Sequence, residues 1–510
     1  MERKDILIFM SDQHSGRIMG CSGDKIVRTP NLNKIAEEGA MFQHAYTPCP
    51  LCVPARMSFI TGRNAEHTGV YTNSGSIPSD MPTFLHQLGT LGYETVLCGR
   101  MHFEGIDQRH GFMKRIAGDI TPTVAGACDG AQDRGMFSLA MGEPFCLQII
   151  GGGNSPIQEY DKYVTETAVK YLSQEHEKPQ CIVVGTYAPH FPYVVTKELF
   201  DYYYDKVQIP ETVKEGNDVV HPAERKRITD KQEDVVRAVR AAYYGLVEFT
   251  DQCVGEVLDA WKKYLTCNKR EGLFVYTSDH GDHVGSHGFY GKQSLYEDVV
   301  NIPLLIYGDG VVHSKINNPV SLIDIAPTLC EMNETSLLFT DGTSFWDSIC
   351  RGEEPEERPV FSEWIMDPFL KGTVYGKMVR YGKYKLITYK DYEKEDLLFI
   401  PEEDYWELHP CNESYPQKVQ ELHEIAYRGI AVEDLVKKKN QREDDYNVIT
   451  KFNRQNGAIN SETWICSRES KILPNDYIQS KQQMHPYIKG MWEKQKERAV
   501  KEGTYYEPRE

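Results

Sequence analysis

Four short apolar runs, each followed by polar or charged residues, constrain the fold of this chain more than any other feature. They cover residues 5–10, 94–99, 181–185 and 273–277. Continuous apolar runs of this length are typical of strands buried on both faces of a parallel sheet. In open α/β sheets, ligands bind at the carboxyl ends of such strands. The polar residues that follow the four runs are therefore predicted to meet in one crevice.

Helical segments alternate with these strands. Thr29 to Gly39 has an N-cap residue, a proline at the first helical position and a glycine stop. Further helices are predicted over 82–91, 163–172 and 235–265, and another strand over 302–306. This alternation predicts an α/β fold with a large, mostly parallel central sheet flanked by helices.

The chain changes character at a charged, proline-containing segment from Glu353 to Pro359. A chain of 510 residues is expected to form a large domain with a smaller companion. Short strand-like runs at 360–364, 377–381 and 384–389 predict a small antiparallel sheet, and a polar, helix-rich tail follows Pro416. We therefore predict a catalytic domain over 1–358 and a C-terminal α+β subdomain with a helical tail over 359–510.

The composition excludes several classes of partner. A net charge of -18 argues against a nucleic-acid or anionic membrane surface, so an anionic ligand would need a local cluster of cations. Arg56, Arg63, Arg100 and Lys292 are the candidates. Thirteen cysteines without framework spacing predict reduced thiols and no disulfide. The apolar run from Ile6 to Met10 is too short for a signal peptide or membrane span, so a cytoplasmic protein is expected.

The stretch from Pro48 to Gly69 places a cysteine at a predicted helix start. Pro54 suits the first helical turn and Gly62 suits the position after the end. Cys52 would then face the positive end of the helix dipole, which binds anions and lowers a thiol pKa. An inert buried cysteine is the plain alternative. Cys49 and Cys52 also form a C-x-x-C pair, but nothing nearby supports a redox or zinc motif.

The string Cys52-x-Pro54-x-Arg56, followed by Thr61-Gly62-Arg63, resembles the signature of the type I sulfatases of the alkaline phosphatase superfamily. In that family, a maturation enzyme oxidises the cysteine to formylglycine, the catalytic aldehyde. The resemblance therefore implies formylglycine at position 52 and an alkaline-phosphatase-like fold. It also implies a small C-terminal subdomain. The segment from Trp406 to Pro410 resembles the closing strand of that subdomain.

A metal site is predicted from Asp12, Asp279 and His280, with Gln13 beside them. Oxygen ligands with one imidazole suit a single divalent cation, although each residue alone has a structural alternative. The resemblance adds Cys52 as a ligand and favours calcium. Gln13 stands where many sulfatases have aspartate, and His280 where many have asparagine. Both departures match the choline-sulfatase and phosphonate-monoester-hydrolase branch, in which the hydrolases are associated with manganese.

The resemblance also implies roles for further residues. The segment Gly99-Arg100-Met101-His102 is similar to the family's Gly-Lys-x-His element, with arginine in place of lysine. The implied roles are Arg56 holding the aldehyde hydrate, Arg100 contacting sulfate, His102 as base, His190 as leaving-group contact or acid, Lys292 as cation on the sulfate, and Asn73 as substrate contact. His283 and His287 are predicted to be loop residues outside the site.

These features predict a sulfuric ester hydrolase acting on an alkyl or carbohydrate sulfate monoester. A phosphonate monoester or phosphodiester hydrolase is the alternative, since it would use nearly the same residues. A non-catalytic scaffold would be expected to lose some of Cys52, His102, His190 and Lys292, and a two-zinc phosphatase would have serine or threonine at position 52. The expected partners are a small-molecule or saccharide sulfate ester and the maturation enzyme, without nucleic acid or membrane; a homo-oligomer is left open.

Overall fold

The fold is built around an eight-stranded sheet. The computed structural model describes residues 3–125, 145–148, 150–153, 155–229, 232–366, 373–457 and 462–464. The strands are β1 (Asp5–Asp12), β2 (Ala40–Phe42), β3 (Ala45–Tyr46), β4 (Glu94–Gly99), β5 (Lys114–Ala117), β6 (Ile150–Gly152), β7 (Gln180–Pro189), β8 (Tyr193–Val195), β9 (Gly272–Ser278), β10 (Asn301–Ile302), β11 (Leu304–Gly308), β12 (Ser314–Ile316), β13 (Val320–Ser321), β14 (Val360–Met366), β15 (Val374–Tyr381), β16 (Tyr384–Tyr389) and β17 (Leu397–Phe399). The large sheet has the order β12-β2-β11-β9-β1-β7-β4-β5. It is parallel except at β11, which runs antiparallel to both of its neighbours.

The central strands are buried on both faces, as the apolar runs predicted. Leu7 of β1 pairs with Ile182 of β7 on one side and Phe274 of β9 on the other. Successive side chains alternate between two separate hydrophobic clusters, so Leu7 and its neighbour Ile8 pack on opposite faces. The mostly parallel α/β architecture is confirmed.

Helices cover both faces of this sheet. They are α1 (Pro30–Glu38), α2 (Cys52–Thr61), α3 (Ala65–Thr68), α4 (Phe84–Thr90), α5 (Pro156–Leu172), α6 (Lys197–Tyr204), α7 (Glu233–Asn268), α8 (Glu297–Val300), α9 (Ile325–Glu331), α10 (Trp346–Arg351), α11 (Pro416–Tyr427) and α12 (Val432–Asn456). Helices α1, α5, α6 and α7 contribute to the cluster on one face, and α2, α4, α9 and α10 to the cluster on the other. Helix α2, which begins at Cys52, therefore lies on the face opposite α7, the longest helix among the described residues.

Two details differ from the sequence prediction. The single strand expected over 302–306 is divided at Pro303 into β10 and β11, which belong to different sheets. A proline has no N–H to donate to a sheet, so the ladder is interrupted there. The predicted closing strand from Trp406 to Pro410 is wrong, because this segment forms turns and Glu407 has a φ of 51°. The fourth strand of the small sheet is β17 instead.

The small C-terminal sheet is antiparallel, as predicted, with the order β14-β15-β16-β17. Its apolar residues share a cluster with Leu51, which precedes helix α2, and with Leu295, which follows Lys292. The backbone N–H of Glu363 in β14 also donates to the carbonyl of Pro48 at 2.9 Å. The C-terminal sheet thus supports the two segments that carry Cys52 and Lys292.

Helix α12 leaves the C-terminal sheet and crosses the loops around the predicted crevice. Arg442 Nη2 donates to the carbonyl of Ser76 at 2.6 Å. One turn later the hydroxyl of Tyr446 donates to Glu104, and Asn453 Nδ2 donates to the carbonyl of Ala125 at 2.8 Å. In the part of the chain that is described, no helix combines the length and apolar character needed to span a bilayer.

Candidate active site

The site lies at the carboxyl edge of four neighbouring strands. In the order of the sheet these are β9, β1, β7 and β4, and they lead into Asp279, Asp12, His190 and Arg100. Because the four strands are parallel, their carboxyl ends reach the same edge. The structure therefore brings together the polar residues that the sequence placed after four separate strands.

Cys52 is the first residue of α2, and the helix stops at Gly62 in a left-handed conformation with a φ of 69°. All ten residues of α2 are buried. The N–H of Val53, in the first turn, donates to Asn73 Oδ1 at 3.0 Å, so Asn73 anchors the start of the helix. Cys52 therefore lies in a fixed position at the positive end of the helix dipole.

Positive groups surround the Cys52 thiol. Lys292 Nζ lies 2.9 Å and His280 Nε2 lies 3.2 Å from Cys52 Sγ. Burial alone would raise the pKa of the thiol. The charges of Lys292 and His280, with a hydrogen bond from His102, instead hold the pKa of Cys52 well below its usual range. This position stabilises a negatively charged atom.

Four metal-type ligands meet at this point. One ligand atom each from Asp12, Cys52, Asp279 and His280 lies within 4.8 Å of the others, and all four residues are buried. Gln13 Oε1 accepts from Lys292 Nζ at 2.9 Å, so the Gln13 amide oxygen faces the same space. Two buried carboxylates beside an imidazole and an amide oxygen are suitable ligands for a divalent cation. The residues present therefore fit the predicted metal site.

Arg56 and Arg100 support the carboxylates from behind. Arg56 Nε lies 2.8 Å from Asp279 Oδ2, and Arg56 Nη2 lies 3.1 Å from Asp12 Oδ2. Arg100 Nε lies 2.5 Å from Asp12 Oδ2. Burial and the Cys52 thiolate would raise the pKa of Asp12, but the charges of Arg100 and Arg56 hold it well below its usual range. Both guanidinium groups thus contact Oδ2 atoms, while Asp12 Oδ1 lies 3.8 Å from Cys52 Sγ and Asp279 Oδ1 accepts from the backbone N–H groups of Gln13 and His280 at 3.0 Å.

The hydrogen bonds define the tautomers of two histidines. His190 Nδ1 lies 2.6 Å from the carbonyl of Phe191, so Nδ1 carries the proton and Nε2 accepts from Lys292 Nζ at 2.7 Å. Burial and the charge of Lys292 lower the pKa of His190 to about 4, so its ring is neutral at pH 7. His102 Nδ1 accepts from Arg100 Nη2 at 2.8 Å, which leaves its proton on Nε2 toward Cys52.

The sequence prediction missed two carboxylates that orient site residues. Asp119 accepts from the His102 N–H at 2.9 Å and from Arg100 Nη1 at 3.3 Å. Asp282 accepts from Gln13 Nε2 at 2.5 Å, which turns the Gln13 amide oxygen toward Lys292. Asp282 follows the Asp279–His280 pair by two residues, so a count of acidic residues after β9 would have found it. Asp119 belongs to no motif.

Three predicted or candidate residues lie elsewhere. Arg63, a candidate anion ligand, lies past the end of α2, where its guanidinium covers the Phe339 ring at 4.8 Å. His283 and His287 lie between β9 and α8, as predicted, but both are buried. The two histidines are not exposed loop residues.

The fold and this constellation define a class of proteins. The model of the Sulfatase family matches residues 4–332, and the chain belongs to this family. It is an enzyme of the sulfuric ester hydrolase class, as its motifs predicted.

Individual members of the family and related structures are similar to this chain over most of its length. The choline-sulfatase of Rhizobium meliloti (strain 1021) is 31% identical over 411 residues, which cover 76% of this chain and 78% of that protein. Arylsulfatase K of Danio rerio is 26% identical over 460 residues, 83% of either chain. The structure of the phosphonate monoester hydrolase of Agrobacterium radiobacter has a TM-score of 0.68 and 18% identity, and covers 86% of this chain and 96% of that chain. The expected branch of the family is confirmed.

Proposed function

We propose that this protein hydrolyses an alkyl or carbohydrate sulfate monoester. The reaction would use one divalent metal ion and a formylglycine residue formed from Cys52. The observation that carries the proposal is the environment of Cys52 Sγ, which lies 2.9 Å from Lys292 Nζ and 3.2 Å from His280 Nε2 at a buried helix start. The Sγ atom marks the place of the hydroxyl oxygen of hydrated formylglycine. Asp12, Gln13, Asp279 and His280 would hold the metal ion, and their oxygen-rich set favours calcium.

The modified residue and the metal ion would together supply the nucleophile, since the cation would lower the pKa of one hydroxyl of the hydrate and the other hydroxyl would serve product release. The protein's part is to orient the ester and neutralise its charge. Lys292 contacts both Gln13 and Cys52, so its ammonium group lies where a sulfuryl oxygen would approach. Arg56 and Arg100 add two buried positive charges beside this point.

Proton transfer to the departing alcohol is assigned to Lys292. His190 is neutral, and its Nε2 carries no hydrogen but accepts a hydrogen bond from Lys292 Nζ. Of Lys292 and His190, Lys292 is therefore the one that holds a transferable proton near residue 52, and His190 orients it. Of the two acids that the sequence left open, His190 and Lys292, we propose Lys292.

His102 is the proposed base of the second half of the cycle. Its Nε2 faces residue 52 but carries the proton while Arg100 donates to Nδ1. His102 accepts a proton at Nε2 only when its Nδ1 holds the other hydrogen, which requires the contact with Arg100 to open. We therefore place a movement of Arg100 between the two halves of the reaction.

The substrate is proposed to be a small-molecule or saccharide sulfate ester. The chain is acidic overall, with a net charge of -18, so the anion is bound by the local cations rather than by a general field. A phosphonate monoester or phosphodiester is the second candidate. It is favoured by Gln13 and His280 in the metal set and by the structural likeness to the Agrobacterium hydrolase, and manganese would accompany it.

The test combines mass measurement with turnover. Protein made with a formylglycine-generating enzyme should show formylglycine in the residue-52 peptide, and turnover should rise with the modified fraction. Chelation should abolish turnover, and calcium should restore it. Cys52→Ala should be inactive, whereas Cys49→Ala, at a buried thiol three residues earlier, should still be modified and active.

A panel of choline, sugar and aryl sulfates, run beside phosphonate monoesters and phosphate diesters, identifies the substrate class. Full turnover by protein that contains only unmodified Cys52 would contradict the proposal. Faster turnover of the phosphorus esters, with manganese preferred, would establish the second candidate instead.

A further inference from the structure

A second group of metal-type side chains lies on both sides of Lys292 in the sequence. One ligand atom each from His283, His287 and Asp298 lies within 4.8 Å of the others. Both histidines are 0% exposed and Asp298 is 9% exposed. The reaction proposed above uses none of the three.

The hydrogen bonds of this group leave a nitrogen available. His283 Nε2 lies 2.5 Å from Ser294 Oγ, whereas His283 Nδ1 is buried and has no hydrogen-bond partner among the described residues. His287 stacks on Tyr296, with ring centroids 4.5 Å apart, which fixes the plane of its ring. A buried polar atom without a hydrogen bond lowers the free energy of unfolding by about 1–3 kcal/mol. His283 Nδ1 is therefore available to bind a ligand.

The surrounding charges leave Asp298 weakly paired. Arg227 and Lys385 face His283, but Arg227 is paired with Glu224 at 3.1 Å, and Lys385 with Glu297 at 3.1 Å and Glu407 at 2.6 Å. Asp298 has a long contact, 3.4 Å, with Arg17 Nη1. Neutral imidazole is the form that binds metals.

We propose that His283, His287 and Asp298 bind a second metal ion, and that this ion is zinc. Two imidazoles and one carboxylate with an open fourth position form a typical zinc set, whereas the oxygen-rich set around Asp12 and Asp279 suits calcium. The two sites thus differ in the metal they prefer. A zinc ion here would link the segment before Lys292 to the helix after it, and so fix both ends of the loop that carries the proposed acid.

The test is a zinc titration of the full-length protein saturated with calcium. Zinc bound per chain is measured by elemental analysis after dialysis, and thermal unfolding is followed with and without zinc. Wild-type protein should bind one zinc ion per chain and gain thermal stability from it. Asp298→Asn should bind zinc at least about tenfold more weakly and lose that gain. His283→Gln, a second variant of similar size, should behave in the same way.

The matched control is Asp279→Asn, which removes a ligand of the first site and should keep the zinc-dependent gain. Cobalt replaces zinc in a parallel experiment, and its visible absorption should appear in wild type and Asp279→Asn but not in Asp298→Asn. The proposal is overturned if wild-type protein binds no zinc beyond the first site. It is equally overturned if Asp298→Asn and His283→Gln bind zinc as tightly as wild type.

Discussion

In the proposed cycle His102 and Lys292 have separate tasks, because different neighbours hold them beside residue 52. Lys292 Nζ lies 2.9 Å from Cys52 Sγ and is the proposed proton donor to the departing alcohol. His102 is held by Arg100 at 2.8 Å and becomes a base only after that contact opens. The first half of the cycle therefore depends on Lys292 and the second on His102.

His102→Ala is expected to accumulate sulfate on residue 52, since the variant keeps Lys292 for the first step and lacks the base that releases sulfate. Lys292→Ala should slow formation of that intermediate instead, most for esters with poor leaving groups. Each variant should lose about a hundredfold to ten-thousandfold in turnover. The mass of the residue-52 peptide after mixing modified protein with substrate measures the intermediate. Sulfate on Lys292→Ala but not on His102→Ala would show that the two roles are reversed.

Residue contacts divide into those that the sequence could predict and those that it could not. Asp12, Arg100, His190 and Asp279 were predictable because each follows a buried strand, and parallel strands bring their carboxyl ends together. Asp119 was not predictable, since it reaches Arg100 and His102 only through the path of a loop after β5. The tautomers of His102 and His190 likewise depend on single distances that no sequence pattern encodes.

Helix α12 is the element whose effect on the site was not foreseen. The sequence predicted a helical tail after Pro416, but not its contact with the catalytic loops. Tyr446 donates to Glu104, two residues after His102, and the other Glu104 oxygen accepts from the Gly75 N–H at 2.8 Å. Glu104 thus ties α12 to the loop of His102 and to the loop of Asn73. Helix periodicity shows which residues form a helix, whereas its docking depends on long-range contacts.

Tyr446→Phe is expected to raise KM for a saccharide sulfate several-fold while leaving kcat for a small aryl sulfate nearly unchanged. The variant removes a hydrogen bond to a half-buried carboxylate, which is worth about 1–3 kcal/mol, and loosens the wall beside the substrate more than the chemistry. Steady-state kinetics on both substrates provide the measurement. Val448→Ala, on the same helix at a side chain that is 66% exposed, is the control. Equal losses on the two substrates would argue against a role for α12 in substrate selection.

At the scale of the whole molecule, a buried histidine lies where the C-terminal sheet meets the large sheet's loops. His221 is 0% exposed and packs on the Tyr389 ring of β16, with ring centroids 4.5 Å apart. Burial and the charge of Arg225 lower the pKa of His221 to about 3, against a slight opposing effect of the Glu395 backbone. Its neutral form is therefore part of the packing of the C-terminal sheet against these loops.

The free energy of unfolding should decrease as the pH is lowered, because His221 is neutral in the folded protein. The unfolded chain protonates His221 near about pH 6.5, whereas the folded protein does not until about pH 3, so acid favours unfolding between these values. The loss between pH 6.5 and pH 5 should be about 2 kcal/mol. His221→Asn keeps an acceptor for the Ala223 N–H and cannot titrate, so its unfolding midpoint should change less over that range. Parallel slopes for the two proteins would rule out His221 as the source.

Helix α2 offers no free surface, since all ten of its residues are buried and Cys52 is 1% exposed. An enzyme that oxidises Cys52 has to reach its thiol, and the folded protein buries it. If position 52 is modified as proposed, the modification must precede folding. Maturation and folding then compete for each new chain. A chain that folds before it is modified stays inactive, however stable it is. The specific activity of a preparation would thus record the relative rates of two events in the cell that made it.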